Sequence, residues 1–178
     1  MALKDTLARE QAEKAALEEA KRNRPQVIAE WQQALTQLYD QIGALLEEHR
    51  VGGAVHLRRE QITLNEPFYE QYLAPALRII VGEKTIYVRP IGRGTIGAVG
   101  GVGLTRTVVH EYGPNHWRLL RQQANPGDDD LTWLLHPPVI GGRPAVPVRG
   151  GVAPKMGPKP LSKEAIEEVV DALLQQHC

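Results

Sequence analysis

Cysteine is almost missing from this chain, since the only one is the last residue, Cys178. A lone thiol builds no disulfide framework and no zinc site by itself, which fits a reducing compartment. Phenylalanine is equally scarce, with Phe68 alone. No apolar run approaches the roughly 20 residues needed to span a bilayer. Residues 1–14 alternate charge with alanine, where a signal peptide would carry an apolar core. His177-Cys178 is no prenylation box, which needs four residues beginning with Cys. These absences together give the expectation of a cytoplasmic protein with no membrane partner.

Net charge is also lacking, because 21 Lys and Arg balance 21 Asp and Glu over 178 residues. The balance conceals a partition. Residues 76–123 hold seven basic residues against two acids, while residues 1–50 sum to −2 and residues 161–178 to −3. Charge arranged in this way speaks to association and partners more than to fold.

What is present begins with helix. Residues 3–22 are helix formers, with Asp5/Arg9, Glu10/Lys14 and Glu18/Arg22 spaced as acid-to-base i,i+4 pairs. Their apolar content is mostly alanine, so this segment projects or frays. Pro25 interrupts, and because proline is tolerated in a first turn, a second helix is expected to start near Asn23 or Arg24. Ile28, Trp31, Leu35, Leu38, Ile42 and Leu45 then recur three and four apart. That stripe packs either on the protein's own sheet or on another chain, as a coiled coil or helix pair forming a homo-oligomer.

From Val55 the period changes to two. Residues 55–57 and 62–64 read as short strand pieces, followed by a turn around Pro67 and by Pro75 ahead of the next strand. Residues 76–81 and 84–91 flank Gly82-Glu83 as a hairpin. Residues 95–99 and 102–112 flank Gly100-Gly101. Residues 108–112 and 116–123 flank Gly113-Pro114-Asn115, an arrangement that sets Tyr112 opposite Trp117 and Glu111 opposite Arg118. Residues 131–135 form a last strand. Hairpins without intervening helices predict an antiparallel meander of six or seven strands, hence an α+β fold.

Residues 137–160 hold seven prolines and five glycines, and read as a linker or wrapping arm without regular structure. Within it, Pro144 and Pro147 make a formal PxxP of a kind that proline-rich composition generates freely. Ser162 then caps a final helix, whose Ile166, Val169, Val170 and Leu173 dock on the β-domain. The expected organisation is a helical extension over 1–50, a β-domain over 51–136, the arm over 137–160 and the docking helix over 161–178.

Chemistry-bearing motifs are tempting but incomplete. Gly92, Gly94 and Gly97 spell GxGxxG, yet more glycines and a β pattern follow where a dinucleotide site needs a helix. The kinase version lacks its HRD and DFG partners. His110-Glu111 is not followed by a histidine at HExxH spacing, and Gly113-Pro114 forbids the necessary helix. Asp128-Asp129-Asp130 reads as a solvated turn. No catalytic residue, metal ligand or cofactor is therefore expected.

Strand alternation offers Arg78, Tyr87, Arg89, Arg106 and Arg118 as one partner-binding face, with dispersed solvated arginines as the plain alternative. The leading expectation is a non-enzymatic protein-interaction or adaptor module. The alternative is a nucleic-acid binder in which arginines meet phosphates and Tyr87, Tyr112 or Trp117 stacks on bases. An enzyme of unknown class comes third.

Overall fold

The computed structural model describes residues 3–67, 69–93, 98–109, 112, 115–123, 130–140, 143–144 and 157–176. The fold is α+β. Helix α1 (Leu3–Leu45) and the short α2 (Glu47–Val51) lead into β1 (His56–Glu66), β2 (Glu70–Val81) and β3 (Lys84–Gly92). Strands β4 (Gly101–Thr105), β5 (Trp117–Gln123) and β6 (Leu131–His136) follow. Two-residue strands β7 (Val139–Ile140), β8 (Arg143–Pro144) and β9 (Lys159–Pro160) precede the last helix, α3 (Lys163–Gln175).

The main sheet has the order β1-β2-β3-β4-β5-β6-β9, antiparallel throughout. Each strand alternates between a helix-packed side and the opposite side. On the helix side, Leu77 and Ile79 meet Ile86 and Val88, followed by Val102, Leu104, Trp117, Leu119, Trp133 and Leu135. The same core takes Trp31, Leu35, Leu38 and Ile42 from α1, and Ile166, Val169 and Leu173 from α3. Both helices thus cover one face of one sheet.

Several local expectations change. Helix α1 does not restart near Pro25 but runs through it. Proline deprives the Lys21 carbonyl of its helical donor, at about 3 kcal/mol in a helix interior. Residues 21–23, 25 and 26 are exposed, so water meets that carbonyl. The core residues of α1 begin at Trp31, with Val27 and Ile28 half-buried ahead of it, while the described side chains from Ala8 to Asn23 are exposed.

The pieces at 55–57 and 62–64 are one strand of 11 residues. Pro75 lies inside β2, paired with Gln61 of β1. The β2–β3 ladder stops at Leu77 and Val88, so the missing N–H of Pro75 costs no bond to β3. The chain also leaves the sheet after Thr105, so β4 ends there and the expected Tyr112–Trp117 pair is replaced: Trp117 faces Leu104 and Arg118 faces Gly103. His110, Glu111, Gly113 and Pro114 lie outside the described residues, as do residues 94–97.

Finally, the arm is regular at both ends. Strands β7 and β8 pair with each other, and β9 adds an edge to β6. Ser162 caps α3 as its residue type predicts, its Oγ accepting from Ala165 N at 3.2 Å. No basic residue occupies the last turn of α3. Residues in or just beyond the sheet supply the missing charge instead, with Lys84 Nζ donating to Leu174 O at 2.7 Å and Arg106 Nη1 to Leu173 O at 3.4 Å.

Candidate functional site

The side of the sheet without helices is the candidate site. Alternation brings Arg78, Tyr87, Arg89 and Arg118 to it, in two cross-strand rows. The first row runs Arg58, Arg78, Tyr87, Thr105 across β1 to β4. Arg58 and Arg78 are directly opposed like charges, an unfavourable pairing. Glu60 relieves it, its Oε2 accepting from Arg78 Nη2 at 2.5 Å, and this contact raises the Arg78 pKa. The Arg78 guanidinium also lies 5.3 Å from the Tyr87 ring centroid, so Tyr87 is already stacked.

The second row runs Arg89, Gly103, Arg118, His136 across β3 to β6. Its residues are directly opposed, so neighbours stand about 4.8 Å apart and Arg89 and Arg118 about 9.6 Å apart. Gly103 leaves the middle of the row bare. Tyr112 fills that gap from the loop after β4: a Cβ at position 103 would overlap the Tyr112 ring. The ring is edge-on to His116, with centroids 5.7 Å apart and planes at 69°.

This row is short of partners. Arg89 Nε, Arg118 Nε, His136 Nε2 and Tyr112 Oη are all buried without a hydrogen bond. Tyr112 Oη comes near the Thr105 hydroxyl, but that hydroxyl donates to Thr107 O at 2.6 Å and the approach lacks hydrogen-bond geometry. Burial raises the Tyr112 pKa, so its phenol keeps its proton. Burial first, and then the neighbouring Arg118 charge, lowers the His136 pKa below its ordinary value, so its ring is neutral at neutral pH. A buried donor left unpaired costs about 1–3 kcal/mol, and more if charged. Beside the row a groove of about 560 Å³ is lined by Ile62, Leu64, Arg89, Ile91, Val109 and Tyr112.

Arg106 does not join the other arginines. It follows Thr105 by one position, so the same alternation sends it to the helix side, where it reaches the end of α3. Trp117 also faces the helices and is 3 % exposed, which removes it as a stacking platform. The stripe on α1 is committed as well: Trp31, Leu35, Leu38 and Ile42 are at most 1 % exposed inside the protein's own core. Ile28 and Leu45 are half-buried at its edges. That packing leaves the centre of the stripe unavailable to a coiled-coil partner.

Two participants escaped sequence reasoning. His136 lies one residue beyond the expected last strand, and extending the alternation of residues 131–135 by one places it beside Arg118. Gly103 was hidden among other glycines of residues 92–103, and its role depends on Tyr112 returning from outside the sheet.

The glycine-rich segment has a different anchor. Glu66, 9 % exposed, accepts from Tyr72 Oη and from the Arg93 backbone N–H, the latter at 2.8 Å. A Cβ at Gly92 would collide with its carboxylate. Gly92 therefore serves close packing at the end of β3, while Gly94 and Gly97 lie outside the described residues. Among the described residues no group of three or more His, Cys, Asp or Glu side chains is placed to share a metal ion. No described helix is long and apolar enough to cross a membrane. No family model matches the chain, and no curated protein or solved structure matches it significantly.

Proposed function

We propose that this protein is a non-enzymatic, cytoplasmic interaction module that holds an acidic segment of a partner protein on the helix-free face of its sheet. The observation that carries the reading is the row of buried, unpaired polar atoms on Arg89, Tyr112, Arg118 and His136. Guanidinium groups that are partly buried, with an unbonded Nε and no counter-charge, are a cost to the free protein, and an anionic partner offsets that cost. Charge complementarity names the partner's chemistry. On the neighbouring row Glu60 is engaged by Arg78, so it does not serve Arg89 or Arg118.

The nucleic-acid alternative is less well supported, because base stacking needs free aromatic faces. Trp117 is in the core, Tyr87 is stacked by Arg78, and Tyr112 lies against Gly103. Overall neutrality points the same way.

The test is site-specific photo-crosslinking in the native host. A crosslinker at Thr132, on the helix-free side of β6, is expected to trap one protein through an acidic segment. A crosslinker at Glu30, on the exposed side of α1, is expected not to trap it, and Arg89→Glu with Arg118→Glu is expected to abolish the Thr132 product. Equal trapping from both positions, survival of the product after charge reversal, or recovery of nucleic acid would each overturn the reading.

A further inference from the structure

We propose that Arg89, Tyr112, Arg118 and His136 form a binding site for a phosphate monoester, with the carbon body of the ligand in the adjoining groove. This deepens the reading above, and rests on the helix-free face being the binding surface.

The donors set the class of anion. Arg89 and Arg118 approach from opposite sides of Gly103, and the Tyr112 phenol stands between them. They flank the Tyr112 ring about 9.6 Å apart at the backbone, and their long side chains can converge on one oxyanion at its phenol end, each through a charge-assisted bond of about 2.8 Å. A planar carboxylate offers two oxygens along one edge. A phosphate monoester offers three acceptor oxygens and about −1.5 to −2 charge, which matches two guanidinium groups plus a neutral phenol donor. His136, next in the row, brings a further unpaired nitrogen to the Arg118 side. No glutamate or aspartate is paired with Arg89 or Arg118 among the described residues, so nothing competes with the ligand.

The groove sets what the phosphate is attached to. Arg89 and Tyr112 belong both to the row and to the groove wall, where Ile62, Leu64, Ile91 and Val109 offer apolar contacts beside the polar Thr63 and Asn65 in a lining that is more polar than apolar. At about 560 Å³ it falls within the size range of small-ligand sites. A single geometry thus accommodates a charged head at the row and a carbon body bearing polar substituents beside it. The head belongs either to a phosphorylated side chain of a protein or to a free organic phosphate, which share this chemistry.

Calorimetric titration of the full chain with phenyl phosphate, inorganic phosphate, and a phosphoserine peptide with its unphosphorylated counterpart tests the proposal. Phenyl phosphate is expected to bind more tightly than inorganic phosphate. Arg89→Met and Arg118→Met should each weaken both by about tenfold or more, whereas Arg58→Met, on the same face but in the other row, leaves them unchanged. Tighter binding of the phosphopeptide than of phenyl phosphate assigns the head to a protein, and the reverse assigns it to a small molecule. Amide and ring resonances of wild-type Gly103 and His136 should shift on titration, a readout that needs no variant. Absence of phosphate binding by the folded wild type, an equal loss in Arg58→Met, or shifts confined to other regions would overturn it. The two proposals fail separately: a partner trapped at Thr132 without any phosphate binding sinks this one alone, and phosphate binding without a trapped protein sinks only the other.

Discussion

At the scale of single residues, the most consequential position is one with no side chain. Gly103 sits between Arg89 and Arg118, and its missing Cβ admits the Tyr112 ring onto the sheet. Gly103→Ala is therefore expected to displace Tyr112 and destabilise the fold by about 1–3 kcal/mol, the usual range for overpacking. In a Tyr112→Ala background the same substitution should cost much less, because the overlap is gone. Denaturant midpoints of the four proteins measure this coupling. An equal cost in both backgrounds would mean that Gly103 is required for its backbone alone. The neighbouring arginines follow a different logic. Arg106 is one position beyond the last residue of β4, and that single step of alternation turns it from a partner-binding candidate into a helix cap.

At the scale of elements, the stripe on α1 decides between an oligomer and a core. With Leu35 and Ile42 both at 0 % exposure, Leu35→Asp plus Ile42→Asp places two carboxylates in the centre of the core. Each truncated leucine-sized contact costs about 2–5 kcal/mol before the burial of charge is counted. The sum is comparable with the whole stability of a domain, about 5–15 kcal/mol. The β signal in circular dichroism should disappear along with the helical signal. Retention of the β signal with a loss of mass in light scattering would instead show that the stripe joins two chains.

The same elements show what was legible in the sequence. Periodicity identified the stripe and the residues α3 buries, because a 3.6-residue pattern is carried within one segment. The meander followed from hairpin turns such as Gly82-Glu83, where Gly82 has φ 57°. The continuation of α1 through Pro25 was not legible, since it depends on solvent reaching one carbonyl. Nor was the departure of the chain after Thr105, since the β-branched residues Thr107, Val108 and Val109 continue the strand-like composition while the ladder stops. The four-member row was only partly legible. Alternation gives the face of each residue, but register alone aligns Arg89, Gly103, Arg118 and His136, and register is a property of paired strands.

At the scale of the whole molecule, the charge partition acquires a geometry. Acids of the helices pair with bases near them: Glu48 with Lys163 at 2.6 Å, Glu167 with His49 at 2.7 Å, Glu168 with Lys159 at 2.9 Å, and Asp40 with Arg59 at 2.5 Å. These pairs lie on the helix side of the sheet or at its margin. Arg89 and Arg118 lie on the other side, separated from the helices by the sheet itself. The molecule is neutral in sum and polarised in arrangement, so its basic face remains available to an anion despite a net charge of zero.

Whether the row is built for a ligand or for the fold can be read from the free protein. Thermal unfolding of the Arg89→Met, Arg118→Met double variant, in buffer without phosphate, is the direct measurement. Methionine keeps the apolar stem of each arginine and removes its buried, unbonded Nε and its unpaired charge. The account predicts a melting temperature above that of the wild type, together with loss of binding at the helix-free face. A melting temperature clearly below the wild type would show that the two arginines hold the fold together, and would contradict it.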